Sequence, residues 1–211
     1  GPLSGRLRLG VIPTVAPYVL PAVIQHLAAS FPLLDLRPRE AVTQRLLDDL
    51  TEGKLDAAIM ALPASGSALT EYPLLEEEFV LVRPVADREK PVPKPEHLRE
   101  MRLLLLEEGH CFREQALSFC RMSSAVPRDL MEGSTLSTLV QMVGAGIGVT
   151  LIPQMAVGIE ARSAPVSIAQ LPQPRPTRRI GMVWRRTNPL AEQLGVIAGH
   201  LQGAIARAGR V

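Results

Sequence analysis

Cysteine is scarce in this sequence, with two among 211 residues, Cys111 and Cys120. So few thiols exclude a small fold held together by a framework of disulfides. The pattern is typical of a cytosolic protein, in which persistent disulfides are uncommon and a bonded cysteine pair usually has a catalytic or sensing role. We therefore expect a cytoplasmic protein and treat both cysteines as candidates for chemistry.

The sequence also lacks a large excess of charge of either sign and lacks long apolar runs. The 23 basic and 21 acidic residues leave a formal net charge of +2, and without a long basic stripe there is no electrostatic case for nucleic-acid binding by this chain. No apolar run reaches about 18 residues and no secretory signal is visible, so no membrane association is expected. The opening Gly1-Pro2-Leu3-Ser4 resembles a protease-tag remnant, which predicts that the numbering starts inside a longer protein.

Strand and helix patterns alternate along the chain and predict an α/β fold. In roughly the first sixty residues, three apolar runs typical of strands are separated by two segments with helical spacing. Such a βαβαβ unit implies a mainly parallel sheet. Alternation resumes after a proline-rich connection, so we expect two α/β lobes with a cleft between them. Predicted strands cover residues 6–12, 33–39, 55–62, 79–83, 103–106, 149–152 and 180–184, and predicted helices cover 18–31, 42–50, 110–120, 135–143 and 189–208.

The two cysteines lie at opposite ends of one predicted helix. The segment LLLLEEGHCFREQALSFC contains a buried strand, a turn and a helix that begins near His110. Nine helical residues place the Cα atoms of Cys111 and Cys120 about 13 Å apart on opposite faces, whereas a disulfide requires roughly 4.4–6.8 Å. The thiols therefore either act independently or form a bond that unwinds the helix, which would be a redox switch.

Cys111 has the surroundings of a reactive thiol. It lies at a predicted helix N-terminus, where the helix dipole favours a thiolate, and His110 and Arg113 are neighbours in sequence. One interpretation is a peroxide-reactive cysteine with Cys120 as its resolving partner. The other is two small apolar residues, one at a helix cap and one in the core. His110 could hydrogen-bond to peroxide or be an ordinary turn histidine.

Hydroxyl and guanidinium groups supply further candidates. Thr14 and Thr43 follow the first and second predicted strands, and ligands of parallel α/β sheets bind outside the carboxyl ends of strands. N-capping is the alternative role for Thr43. Arg178 and Arg179 precede the last strand, and one of them could donate to an anion or a peroxide, or both could be solvated. The glycine-rich residues 144–148 follow a helix, which favours a C-cap over a phosphate loop.

Metal binding is not expected from this sequence. Its four histidines are scattered, and no cluster of Cys and His has the spacing of metal ligands. No other cofactor motif stands out, so we predict that the chain uses none.

Five stretches of the sequence resemble one known family in the same order. GHCFREQALSFC is similar to the redox segment of the OxyR family, the peroxide-responsive members of the LysR-type transcriptional regulators. The segment with its second cysteine is specific to OxyR, and the other stretches are shared more widely with LysR-type effector domains. Those stretches are GVIPTVAPYVLP, LLDDLTEGKLDAAIMAL, GAGIGVTLIP and RRIGMVW.

The resemblance implies a fold and a domain organisation. The fold would be the periplasmic-binding-protein-like effector domain, with two α/β subdomains joined by crossing strands. Residues 1–77 and 180–211 would form regulatory subdomain I, and residues 78–179 would form subdomain II, which carries the cysteines. The winged helix-turn-helix DNA-binding domain with which such regulators begin has no counterpart here, so we expect the regulatory domain alone.

The resemblance also implies a site and a mechanism. Cys111 would be the cysteine that peroxide oxidises and Cys120 the one that resolves it. Their reversible disulfide would unwind the intervening helix and change the arrangement of the dimer or tetramer. The residues at positions that form the peroxide pocket are Thr14, Thr43, His110, Cys111 and Arg178.

The implied partners are those of a transcription activator in oxidative stress, not of an enzyme. They are hydrogen peroxide, a second copy of the chain in a homodimer (a tetramer when full-length), and a reductant such as glutaredoxin or thioredoxin. Promoter DNA and RNA polymerase would be reached only through the full-length protein. Residues 19–30 and 135–145 match the dimer surface of the family.

Three other functions compete with a peroxide sensor. A LysR-type effector domain could bind a small metabolite in the cleft and carry inert cysteines. A thiol peroxidase would need turnover with a reductant, and the sequence lacks a peroxidase fold signature. A periplasmic solute-binding protein would fit two lobes but would need a signal peptide, although the tag remnant weakens that objection.

Overall fold

The computed structural model describes residues 3–66, 68–120 and 131–208, which divide into two compact units. Unit 1 comprises Gly1–Glu76 and Arg178–Val211, and unit 2 comprises Glu77–Thr177. The sequence-based subdomain boundaries lie one or two residues from these limits. Both units mix helices with strands, so the predicted α/β class is confirmed.

Every predicted strand and helix has a counterpart in the structure. In chain order the elements are β1 (Gly5–Val11), α1 (Ala16–Ser30), β2 (Leu34–Glu40), α2 (Thr43–Thr51), β3 (Ala57–Leu62), β4 (Leu69–Pro84), β5 (Leu105–Leu106), α3 (Cys111–Phe119), β6 (Glu132–Gly133), α4 (Leu136–Gly144), β7 (Thr150–Pro153), α5 (Val157–Glu160), β8 (Val166–Gln170), β9 (Thr177–Arg185) and α6 (Ala191–Ala208). Among the residues described, no helix is long and apolar enough to cross a membrane.

Unit 1 is built on the predicted βαβαβ segment. Strand β1 pairs in parallel with β2 on one side and β3 on the other, and β9 pairs antiparallel with β3. The apolar run of β3 is buried along almost its whole length, as expected of a strand with neighbours on both sides. Strand β2 is the edge, and it tolerates Pro38 because one side of an edge strand makes no ladder hydrogen bonds.

Two helices of unit 1 pack against each other through apolar stripes. Helix α1 contacts α6, and the buried residues of each recur every three or four positions, the spacing of one helical face. The stripe of α1 consists of Ala16, Val19, Val23 and Leu27, and that of α6 consists of Leu194, Ile197, Ala198, Leu201, Ala204 and Ile205.

Unit 2 holds the segment with the cysteines. The second half of β4 pairs antiparallel with β7 and with β8, and the short strands β5 and β6 form a parallel pair. Helix α3 follows β5 and places Phe112 against Phe79 of β4, with ring centroids 4.6 Å apart. The segment with the cysteines is therefore anchored on the core of this unit.

The sequence analysis placed the start of β4 too late and missed the two-residue strand β6 and the strand β8. Strand β4 begins at Leu69, ten residues before the predicted start, because a proline and several acidic residues interrupt its apolar pattern. Strand β8 was not predicted, because its residues are only half-buried and give no strong alternation.

The glycine-rich segment after α4 ends that helix and then packs against backbone. Gly146 has a φ of 93° and donates its N–H to the carbonyl of Val143, so the C-cap interpretation is confirmed. Gly148 packs against Arg102, and a Cβ at this position would overlap the carbonyl oxygen of Arg102. That oxygen cannot yield freely, because it accepts the N–H of Val149 at 2.8 Å.

We expect Gly148→Ala to destabilise the chain by about 2 kcal/mol or more, because the added methyl group would displace a paired backbone segment. Gly158→Ala in α5 is the matched control, since its Cβ would meet nothing within 4 Å. Urea unfolding of the two variants measures the difference. Equal stability would contradict the close approach at Gly148.

Candidate functional site

Arg178 and Thr14 form a buried hydrogen-bonded pair in unit 1. Nη1 of Arg178 donates to Oγ1 of Thr14 at 2.7 Å, and Nη2 donates to the main-chain oxygen of Thr14 at 3.1 Å. Arg178 is 2% exposed and Thr14 is 3% exposed, whereas Arg179 is exposed to solvent. The structure therefore distinguishes the two arginines. A hydroxyl that accepts from a guanidinium still has its own proton to donate.

Three candidate residues of unit 1 lie at the end of its sheet where the parallel strands finish. They are Thr14, Thr43 and Arg178. Thr14 follows β1 and Thr43 follows β2, and these strands run parallel. Arg178 is the second residue of β9, and the next residues of that strand pair with the carboxyl end of β3. All three therefore lie at the carboxyl ends of parallel strands, where α/β sheets bind ligands.

N-capping does not account for Thr43. Helix α2 begins at Thr43 itself and its N-cap is Val42, so the capping interpretation is wrong. Within the described residues, this N-terminus carries no side-chain cap. Thr43 therefore remains a candidate for ligand binding, because it follows β2 at the carboxyl ends of the parallel strands.

His110 and Cys111 lie together at the start of α3 in unit 2, as predicted. His110 is the N-cap residue and is buried, and Cys111 is the first helical residue and is partly exposed. Gly109 precedes them with a φ of 102°, a left-handed conformation that allows the chain to turn into the helix. Cys111 therefore follows a tight turn and a buried histidine in sequence.

Cys120 has the opposite environment at the other end of α3. It is the C-cap residue and is 0% exposed. Burial raises the pKa of its thiol to about 12, because a thiolate would lose its hydration there. While α3 is folded, Cys120 is therefore a neutral thiol and a poor nucleophile at neutral pH.

A folded α3 separates the two sulfur atoms. Both cysteines belong to the part of the chain that the structure describes, and no disulfide joins them. Since the helix is continuous over Cys111–Phe119, the Cα atoms of the two cysteines are about 13 Å apart by helical rise. A bond between them requires the helix to unwind.

Arg113 is a functional candidate whose environment the sequence analysis missed. The sequence shows Arg113 only as a positive neighbour of Cys111. In the structure its side chain is 4% exposed, and its Nη1 donates to the carbonyl of Leu106 at 2.7 Å. The same nitrogen pairs with the carboxylate of Glu132. Arg113 shares the buried face of α3 with Ala116 and Leu117, and this helical spacing was the available signal.

The site residues have no arrangement suited to a metal. Over residues 3–66, 68–120 and 131–208, no group of three His, Cys, Asp or Glu side chains could hold an ion. The site offers the partly exposed thiol of Cys111, next in sequence to His110, and the thiol of Cys120, which is buried in the core.

Sequence comparison gives one family and a consistent set of relatives. The LysR substrate binding domain family matches residues 1–206. The chain is 45% identical over 204 residues to a probable hydrogen peroxide-inducible genes activator of Mycobacterium avium, covering 94% of this chain and 65% of that protein. It is 40% identical over 200 residues to the DNA-binding transcriptional dual regulator OxyR of Escherichia coli K12, covering 93% and 65%. The chain thus spans about two thirds of the length of these relatives.

Solved structures with the same fold include OxyR proteins in different states. A C-to-S mutant of Corynebacterium glutamicum OxyR with H2O2 bound matches with a TM-score of 0.89 and 32% identity, covering 100% of this chain and 67% of that one. The reduced regulatory domain of Pseudomonas aeruginosa OxyR matches with a TM-score of 0.83 and 33% identity, covering 96% and 97%. The predicted effector-domain fold is confirmed by these matches.

The family match over nearly the whole chain, the identity to peroxide-inducible activators and the fold of OxyR regulatory domains agree with one another. The chain belongs to the LysR substrate-binding domain family, as an OxyR-like regulatory domain, and the full-length relatives that it matches are named as gene regulators.

Proposed function

We propose that this chain senses hydrogen peroxide through Cys111 and stores the signal as a Cys111–Cys120 disulfide. The observation that carries the proposal is the contrast between the two thiols of one helix. Cys111 is partly exposed at the start of α3, and Cys120 is buried at its end. The names of the relatives and the H2O2-bound relative support peroxide as the oxidant.

The first step is a two-electron oxidation of Cys111. Its thiolate attacks one oxygen of hydrogen peroxide, the O–O bond breaks, and the second oxygen leaves as hydroxide, which takes a proton to become water. The sulfur becomes a sulfenic acid. We propose that the side chains that contact the peroxide and donate to its oxygens are Thr14, Thr43, His110 and Arg178.

The second step closes the disulfide. The sulfur of Cys120 attacks the sulfur of Cys111, the S–S bond forms, and the S–O bond breaks with loss of hydroxide, which takes up the proton of Cys120 as water. Unwinding of α3 both brings the sulfurs together and removes Cys120 from the burial that raises its pKa. A dithiol reductant such as glutaredoxin or thioredoxin would reverse the step.

The output would be a rearrangement of the assembled regulator. We propose that units 1 and 2 are the two regulatory subdomains and that residues 19–30 and 135–145 form the surface of a homodimer. Unwinding of α3 would repack unit 2 and change the dimer or tetramer arrangement. Promoter DNA and RNA polymerase would respond only through the full-length cytoplasmic protein.

A few equivalents of hydrogen peroxide should remove two hydrogens from the intact chain, mapped to a Cys111–Cys120 link and restored by a thiol reductant. Intact-protein and peptide mass spectrometry measures this. Cys111→Ser should abolish the response, and Cys120→Ser should stop at the sulfenic acid. A wild-type chain unchanged after several minutes would reject the sensor and favour a metabolite-binding effector domain.

The burial of Cys120 predicts a pH-dependent stability. A thiol whose pKa is raised by folding stabilises the folded chain below its unfolded pKa of about 9, and this contribution is lost as the pH rises toward about 12. Between pH 7 and pH 10, the wild-type chain should lose about 1 kcal/mol more stability than Cys120→Ala does. Urea unfolding at both pH values measures the difference. Parallel losses would show that Cys120 ionises freely in the folded chain.

Arg178→Lys should slow formation of the sulfenic acid by about 10- to 100-fold, because it removes a fixed, two-pronged donor. The rate is measured in a Cys120→Ser background, where the reaction stops after the first step. Arg179→Lys is the matched control, since this neighbouring arginine is exposed. Equal rates for the two variants would remove Arg178 from the proposed peroxide site.

A further inference from the structure

We infer that Arg113 and Glu132 form a latch that keeps α3 helical and thereby sets the rate at which the disulfide closes after Cys111 has been oxidised. The inference rests on the proposed function and adds a step of regulation to it. The latch comprises the guanidinium of Arg113, the carboxylate of Glu132 and the carbonyl oxygen of Leu106.

The latch joins the first turn of α3 to two strands of unit 2. Arg113 lies two residues after Cys111, and its guanidinium contacts Leu106 in β5 and Glu132 in β6. These strands pair in parallel, with Leu105 opposite Glu132. One side chain therefore ties the reactive end of the helix to both strands beneath it.

Burial makes this contact costly to open. The side chain of Arg113 is 4% exposed, while that of Glu132 is 41% exposed. A guanidinium that withdraws from a buried site gives up two charge-assisted hydrogen bonds before water can replace them. Because closing the disulfide requires residues 112–119 to leave the helical conformation, the guanidinium must withdraw first.

Apolar contacts also hold α3, but they are less specific. Phe112 packs on Phe79, and Ala116 and Leu117 are buried in the core of unit 2. Such contacts can re-form in a repacked core, because burial of apolar surface has no fixed direction. An ion pair, in contrast, requires one specific partner. The contact of Arg113 with Glu132 is therefore specific to the folded α3.

The position of Glu132 connects the latch to a second helix. Gly133 completes β6, and Thr135 then caps α4 by accepting the N–H of Thr138 at 3.1 Å. Opening of the latch thus frees the strand that leads directly into the cap of α4. The motion of α3 is physically continuous with the segment that we propose as part of the dimer surface.

Arg113 acts here as a positioning residue rather than a catalytic one. It holds the helix that carries Cys111, and the latch opens only after the peroxide has reacted. The latch should therefore affect closing of the disulfide and leave the oxidation step unchanged. A general loss of folding would not separate the two steps in this way.

The test compares Glu132→Gln with Glu108→Gln in the 211-residue chain. Both substitutions remove one negative charge from an exposed position of unit 2, but Glu132 is the one that pairs with Arg113. Sulfenic-acid formation is measured in the Cys120→Ser background. Disulfide closing is measured with both cysteines present, as the first-order phase that does not depend on peroxide concentration, by acid quench and mass spectrometry.

Glu132→Gln should accelerate closing roughly 5- to 10-fold and leave sulfenic-acid formation equal to that of Glu108→Gln. Arg113→Lys, which keeps the charge but cannot match the planar guanidinium, should also accelerate closing. Equal closing rates in Glu132→Gln and Glu108→Gln would overturn the latch and leave the sensor intact. Absence of any disulfide in the parent chain would overturn both.

Discussion

The separation that a folded α3 imposes on Cys111 and Cys120 is the constraint on which the rest of this domain depends. A helix of nine residues keeps their Cα atoms about 13 Å apart, and burial keeps the second thiol protonated. Chemistry at Cys111 and a change of structure are therefore linked by geometry. A closer pair of cysteines would form a disulfide without moving the helix, and oxidation would leave the domain unchanged.

Unit 1 contributes a rigid, prearranged set of donors. The guanidinium of Arg178 is fixed by both the hydroxyl and the main-chain oxygen of Thr14, so neither group would have to reorganise if peroxide binds there as proposed. In the proposed scheme, unit 2 contributes the part that changes. This division would suit the proposed sensor, because hydrogen peroxide is too small to drive a large motion by its own contacts, and the energy would have to come from bonds that the oxidation makes and breaks.

Sequence periodicity was enough to predict the longer helices and most strands in their order, and both ends of α3 to within a residue, because apolar spacing and turn residues are local signals. The OxyR resemblance added the candidate site residues, whose roles in peroxide binding stay predictions. Two other features could not be predicted, because they depend on which strands and side chains pair in three dimensions. Arg178 and Arg179 are equivalent in sequence, and only strand register buries one of them. The partner of Arg113 lies nineteen residues away, and no local pattern connects them.

The inaccessibility of Cys120 also has a consequence in time. In the proposed scheme an oxidised Cys111 must wait until α3 opens. During that interval small thiols in the surroundings can reduce it, because one forms a mixed disulfide with loss of water and a second then releases the thiol of Cys111. A brief pulse of oxidant would leave little disulfide, whereas a sustained one would let the disulfide accumulate. The buried thiol would thus give the domain a delay between oxidation and response, set by the stability of nine residues of helix.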